Sequence, residues 1–181
     1  RDGGRHHVAH LQVVDPADLA RFADLGAAAT IQPLWAAHEP QMDDLTIPFL
    51  GERRSDLQYP FADLATAGAH LAGGSDWPVS SPDPVQGVHV AVNRVLPEAR
   101  GAEAEPLSPR NRLDLGTALT AYTAGSAWVN GLDDRTGRLA AGLLADLAVL
   151  DRDLFAHPPA EIGAARVVTT YLAGETVFRA S

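Results

Sequence analysis

The chain has 181 residues, 46% hydrophobic and 20% charged, which is enough to bury one sizeable core, with or without a small appendage. Its 23 acidic against 14 basic residues leave a net charge of −9, which disfavours nucleic acid and anionic membrane surfaces as partners. The absence of cysteine excludes disulfides and thiolate metal ligands, and no run of about 18 apolar residues or basic-then-apolar leader is present, so a cytoplasmic setting is expected.

The chain opens Arg1-Asp2-Gly3-Gly4, and its one methionine is Met42, so it reads as a piece of a longer or processed polypeptide. The Val-rich run "HHVAHLQVV" (6 to 14) reads as a strand. Asp15 offers an N-cap, Pro16 suits a first helical position, and "ADLARFADLG" carries apolar residues at helical spacing up to a C-terminal Gly26. "AAATIQP" (27 to 33) is a second strand, so residues 6 to 33 form a βαβ unit with parallel strands. Residues 34 to 57 mix Pro, Gly and charges and read as a long loop, with Trp35 and Met42 available as an apolar pocket wall. A helix over "YPFADLATAG" (59 to 68) and a third strand ending in "AHLAGGSD" repeat the order, which argues an α/β fold.

Helices are expected over 83 to 96 and from Ser108-Pro109 to about Tyr122, with an acidic loop between them. "GRLAAGLLADLAVLD" (137 to 151) and "RVVTTYLAGETVFRA" (166 to 180) read as strands, the second holding a tight turn at Gly174-Glu175. The expected division is an α/β part over 1–134 and a small β unit over 135–181.

Asp76, in "AGGSDWPV", stands where the third apolar run gives out. Two readings fit it: a turn former ahead of Pro78, or a side chain directed into a site, as at the carboxyl ends of parallel strands. His10 lies in the first run, 66 residues earlier. A (β/α)8 barrel spends about 30 residues per unit, so both residues suit the mouth of one barrel, two strands apart. Two-fold alternation would put His10 on the same strand face as residues 6, 8 and 12.

"RHHVAHLQVV", "ATIQP", "GERR", "AGGSDWPV", "AVNRV", "ALTAYTAGSA" and "GRLAAGLLADLAVLD" occur in an order that resembles the C-terminal part of the amidohydrolase superfamily, and most of all amidohydrolase family 3, which includes N-substituted formamide deformylases. The resemblance covers nearly all of this chain but about the last third of a family member. It implies a metal-dependent hydrolase of C–N bonds: a partial (β/α)8 TIM barrel, contributing strands 6 to 8, with C-terminal strands of a β-sandwich. By the same resemblance, His10 closes strand 6 and binds a metal or steadies the developing oxyanion. Asp76 closes strand 8, binds the metal and takes a proton from metal-bound water. The implied cofactor is a divalent metal, with Zn²⁺ expected, and the implied substrate is a small amide-type molecule.

The family's His-x-His pair, strand-4 bridging ligand and strand-5 histidine are absent here, and His6 and His7 do not restore them. Two ligands fall short of the three protein ligands usual in a hydrolytic zinc site, so the chain alone is expected to be inactive. Ala9 and Leu143 depart from the residues common in the family without touching the inferred chemistry. Gln32, Arg53, Trp77 and Arg94 are candidates for lining the mouth, against the alternatives of packing and surface ion pairing. His38, His70, His89 and His157 read as structural or exposed. Three barrel strands cannot close, so exposed edges favour a homo-oligomer. The rival reading of the whole chain is a non-catalytic structural or oligomerisation domain.

Overall fold

The computed structural model describes residues 4–181, so Arg1, Asp2 and Gly3 of the opening stretch lie outside the described residues. Strands β1 (His7–Ala9), β2 (Ala28–Ile31) and β3 (His70–Gly73) form a parallel sheet in the order β1-β2-β3. Its register aligns Ala9 with Thr30 and Thr30 with Ala72, and one step further Ile31 with Gly73. The crossover after β1 forms as its sequence demands. The Asp15 carboxylate accepts the Ala17 N–H at 2.9 Å, and Pro16–Asp18 make a 3-10 turn into helix α1 (Leu19–Leu25). Gly26 ends that helix at φ 68°, a left-handed conformation that costs glycine little.

The expected loop at 34 to 57 is instead three short helices, α2 (Pro40–Leu45), α3 (Ile47–Leu50) and α4 (Glu52–Ser55). The Pro and Gly residues that suggested a loop lie at their boundaries: Pro40 and Pro48 in first turns, and Gly51 at φ 72° between α3 and α4. Helix α5 (Phe61–Thr66) leads into β3, and α6 (Pro84–Asn93) follows it, with Asp83 accepting the Val85 N–H at 2.9 Å.

The helix expected from Ser108 begins only at Leu115. Residues Pro109–Asn111 make a separate 3-10 turn, and Asp114, which accepts the Thr117 N–H at 2.9 Å, is the true cap of α7 (Leu115–Thr120). A π-helical turn at Ala121–Gly125 joins α7 to α8 (Ser126–Val129). Ile31, Phe61, Leu64, Val90, Ala118 and Ile162 belong to one contiguous buried core.

The C-terminal part is an antiparallel sheet, β4 (Leu147–Leu150), β5 (Val167–Leu172) and β6 (Glu175–Arg179), in sequence order. Only 147–150 of the expected strand at 137–151 is extended, because Gly137 and Gly142 both take φ 89° and break the run before it. The hairpin turn is at Ala173-Gly174, not Gly174-Glu175: both residues have positive φ (50° and 85°) and Leu172 pairs with Glu175. That is the turn geometry whose twist suits two-residue hairpins.

His89 joins the end of α6 to a 3-10 segment, Pro159–Ala164. Its ring Nδ1 accepts the Gly163 N–H at 3.1 Å, which requires an unprotonated nitrogen, and burial lowers the pKa of the imidazole. An unfolded chain therefore takes up this proton at a higher pH than the folded one. Stability is full above the ordinary imidazole pKa near 6.5 and falls as pH drops below it, with a slope of at most about 1.4 kcal/mol per pH unit for one proton. Urea denaturation from pH 7.5 to 5 is expected to show that decline, and His89→Gln, which keeps an acceptor but cannot titrate, is expected to flatten it.

Candidate functional site

The extended chain of β1 stops one residue before His10. His10 and Leu11 take φ 67° and 55°, so the expected alternation of His10 with residues 6, 8 and 12 is broken by a separate turn. Such angles are uncommon outside glycine and must be held in place. Two acceptors hold this one: the His10 N–H meets the Thr30 carbonyl at 3.1 Å and the Gln32 side-chain oxygen at 2.7 Å. Gln32 is 5% exposed and stands just beyond β2, so the end of the middle strand positions the residue leaving its neighbour.

Asp76 also lies at positive φ, 64°, three residues beyond β3. Its carbonyl accepts the Val79 N–H at 2.8 Å, so the backbone does open a turn. Asp76 also lines a cavity of about 240 Å³ whose wall includes His10, so a turn-forming backbone and a place in the cavity wall coexist at one residue.

The segment from 33 to 46 supplies most of the remaining wall, with Trp35, Glu39 and Met42, and Tyr59 adds another side. Trp35 and Met42 occupy the role expected for them. Tyr59 is 5% exposed at φ 49°, and burial pushes its phenol up to about 12, so it carries a proton throughout the neutral range. Glu39 is raised as well, first by burial and then by the neighbouring charges of Asp43 and Glu103.

Arg94 is not at the mouth. It is fully buried, ends α6 at φ 61°, and donates to the carbonyls of Leu107 (2.8 Å), Tyr59 (3.1 Å) and Gln58 (3.3 Å). Its guanidinium carbon lies 5.3 Å from the centre of the Phe61 ring. Burial lowers its pKa to about 9, which still leaves it charged at neutral pH. It therefore braces the Gln58–Tyr59 backbone and is not among the residues that line the cavity.

The other sequence candidates are also placed elsewhere. Gln32 is spent on the His10 backbone. Arg53 lines a separate surface hollow with Val13 and Leu57, and Trp77 is 68% exposed. Of the remaining histidines, His38 meets Asp43 at 2.6 Å, His70 stacks on Trp128 at 4.2 Å, and His157 lies 3.5 Å from Glu161. None of these three, nor His89, lines the cavity that holds His10 and Asp76.

Sequence reasoning missed the clamp behind Asp76. The Tyr122 ring, in the π turn, fills a slot between Gly73 and Gly87. A Cβ at Gly73 would stand 2.7 Å from the ring, and one at Gly87 would overlap the phenol oxygen. The Tyr122 hydroxyl donates to the Gly74 carbonyl at 3.2 Å, and the Ser126 hydroxyl to the Gly73 carbonyl at 2.7 Å. At Gly125 a Cβ would collide with the Leu71 carbonyl oxygen. Glycine inside a strand and inside a helix was the available signal, since such residues mark close approaches.

His10 and Asp76 offer an imidazole nitrogen and a carboxylate oxygen, donors that zinc accepts. Among the described residues, however, no three His, Cys, Asp or Glu side chains gather closely enough to hold a metal ion. These residues alone do not make a metal site.

The chain belongs to the amidohydrolase family, in its family 3 branch; the family model matches residues 1–178. Protein LONG AFTER FAR-RED 3 of Arabidopsis thaliana is 31% identical over 175 residues, which is 96% of this chain and 29% of that protein. The N-substituted formamide deformylase of Arthrobacter pascens is 28% identical over 166 residues, 91% of this chain and 29% of that enzyme. The chain thus spans under a third of the length of these two relatives. An uncharacterized metal-dependent hydrolase from Pyrococcus horikoshii OT3 superposes with a TM-score of 0.70 at 30% identity, over 84% of this chain and 30% of its own.

Removing the Arg94 guanidinium leaves three buried carbonyls without that donor, at about 1 to 3 kcal/mol each. Arg94→Met is expected to lower unfolding free energy by about 3 to 5 kcal/mol, and Arg94→Lys to recover less than half of it, because one ammonium cannot span three acceptors. Chemical denaturation checks both, and full stability of Arg94→Lys would contradict the bracing role.

Proposed function

We propose that this chain is the C-terminal portion of a metal-dependent hydrolase that cleaves non-peptide C–N bonds of small amide-type substrates, with His10 and Asp76 as its chemical groups. One observation carries the reading: two residues 66 positions apart, at the ends of strands flanking the same middle strand, line a single cavity. The family supports the hydrolase class. His10 and Asp76, completed by ligands from elsewhere, would hold a divalent cation, and Zn²⁺, which suits these donors, would supply a water of pKa about 7.

The chain's own side chains then have distinct tasks. The Asp76 carboxylate accepts the proton of the attacking water and returns it to the nitrogen that leaves when the C–N bond breaks. His10 is the second residue of this chain that would hold the cation, with steadying of the oxygen that gains negative charge as its alternative role. The Tyr59 phenol, protonated and buried, adds a wall that excludes water from the acyl carbon.

Residues 1–134 fit strands 6 to 8 of a (β/α)8 barrel, and 135–181 fit strands of a β-sandwich. The exposure of the unfinished sheets supports this. All of β1 is exposed, including Val8 at 50%, whereas parallel sheets are normally covered on both faces. The open edges of β1 and β3 call for further strands or a second copy of the chain. Those same edges are what favour a purely structural or oligomerisation role as the second reading.

The test compares the 181-residue chain with a longer polypeptide that contains it and the missing ligands. The short chain is expected to hydrolyse no N-substituted formamide. In the longer one, Asp76→Asn is expected to lower kcat by about 100-fold to 10,000-fold, and His10→Ala to lower metal content or turnover. A longer polypeptide whose Asp76→Asn form keeps full amidase activity would overturn the assignment and favour the structural reading.

A further inference from the structure

We infer that the cavity selects substrates whose substituent carries a protonated amine, and that Glu39 is the residue that recognises this charge. The inference rests on reading the cavity as a substrate site and adds to that reading the class of molecule admitted.

Glu39 lines the same cavity as His10 and Asp76, yet none of the roles described so far uses it. It occupies the position before α2, where a side chain could cap the helix, but makes no capping hydrogen bond. Among the described residues no arginine or histidine pairs with it, while Asp43 and Glu103 lie near enough to raise its pKa. A half-buried carboxylate with acidic neighbours and no cation of its own is stabilised by a cation brought from outside.

The rest of the wall suits the same visitor. The cavity has no arginine or lysine in its lining, and the buried Arg94 behind it spends its donors on backbone carbonyls. An anionic substituent would find no partner there and would face two carboxylates. Trp35 and Tyr59 provide ring surfaces of the kind that attract ammonium groups, with Met42 beside them.

Three near-isosteric formamides separate charge from shape: N-(2-ammonioethyl)formamide, N-propylformamide and N-formyl-β-alaninate. Their binding to the 181-residue chain is read by NMR from the Trp35 indole signal, without turnover. The ammonium compound is expected to bind about 10-fold more tightly than the propyl compound, with the carboxylate weakest. Glu39→Gln is expected to bring the first two within about twofold, and Glu39→Asp, which keeps the charge, to retain the preference. Equal binding of all three, tighter binding of the carboxylate, no binding at all, or a preference that survives Glu39→Gln overturns the inference. Lack of amidase activity in the longer polypeptide would count against the proposed reaction and leave these binding ratios standing.

Discussion

The candidate site depends on the 2.7 Å bond from the His10 N–H to the side chain of the buried Gln32. A histidine at φ 67° sits at a local cost of about 1 to 3 kcal/mol unless its surroundings favour that shape. Gln32 favours it by giving the His10 N–H a second acceptor, and Gln32 is itself fixed because it follows β2 directly. On the other side of the sheet, the Gly74 N–H bonds to the Ile31 carbonyl at 3.0 Å. The end of the middle strand thus ties down the segments that lead to both His10 and Asp76.

Asp76 is held less directly. Among the described residues no hydrogen bond or ion pair holds its carboxylate; the preceding Gly73-Gly74 backbone is fixed by Tyr122 and Ser126, and its own carbonyl is capped by the following turn. A π turn is well suited to this, since it inserts an extra residue into a helix and turns two neighbouring side chains toward one strand end. Arg94 has the matching role for Tyr59. The backbones at His10, Tyr59 and the approach to Asp76 are thus each braced by a polar side chain.

The sequence made the strand, helix, strand order legible because its signals are local: the Asp15 cap, Gly26 after α1, and Val-rich and Ala-rich runs of strand length. It also led to His10 and Asp76, through spacing, motif order and family resemblance. It did not reveal that β1 ends at Ala9, since a valine-rich run continues past His10 and the turn is set by a bond to Gln32, 22 positions away. Arg94 and Gln32 were read as mouth residues because a polar side chain near a motif looks the same whether it meets substrate or backbone carbonyls. Only packing distinguishes the two. Glu39 and Tyr59 carry no local signature, and they reach the cavity through the folding of 33 to 60 into short helices.

The central claim is that the ends of β1 and β3 present His10 and Asp76 to one bound cation. Paramagnetic Co²⁺ titrated into the isotope-labelled chain tests it most directly, because broadening of NMR signals reports proximity even for weak binding. The account predicts that the His10 ring and Asp76 signals broaden together at the lowest cobalt concentrations, ahead of those of His157 and Glu161. Broadening that begins at His157 and Glu161, or that affects His10 while leaving Asp76 sharp, would contradict it.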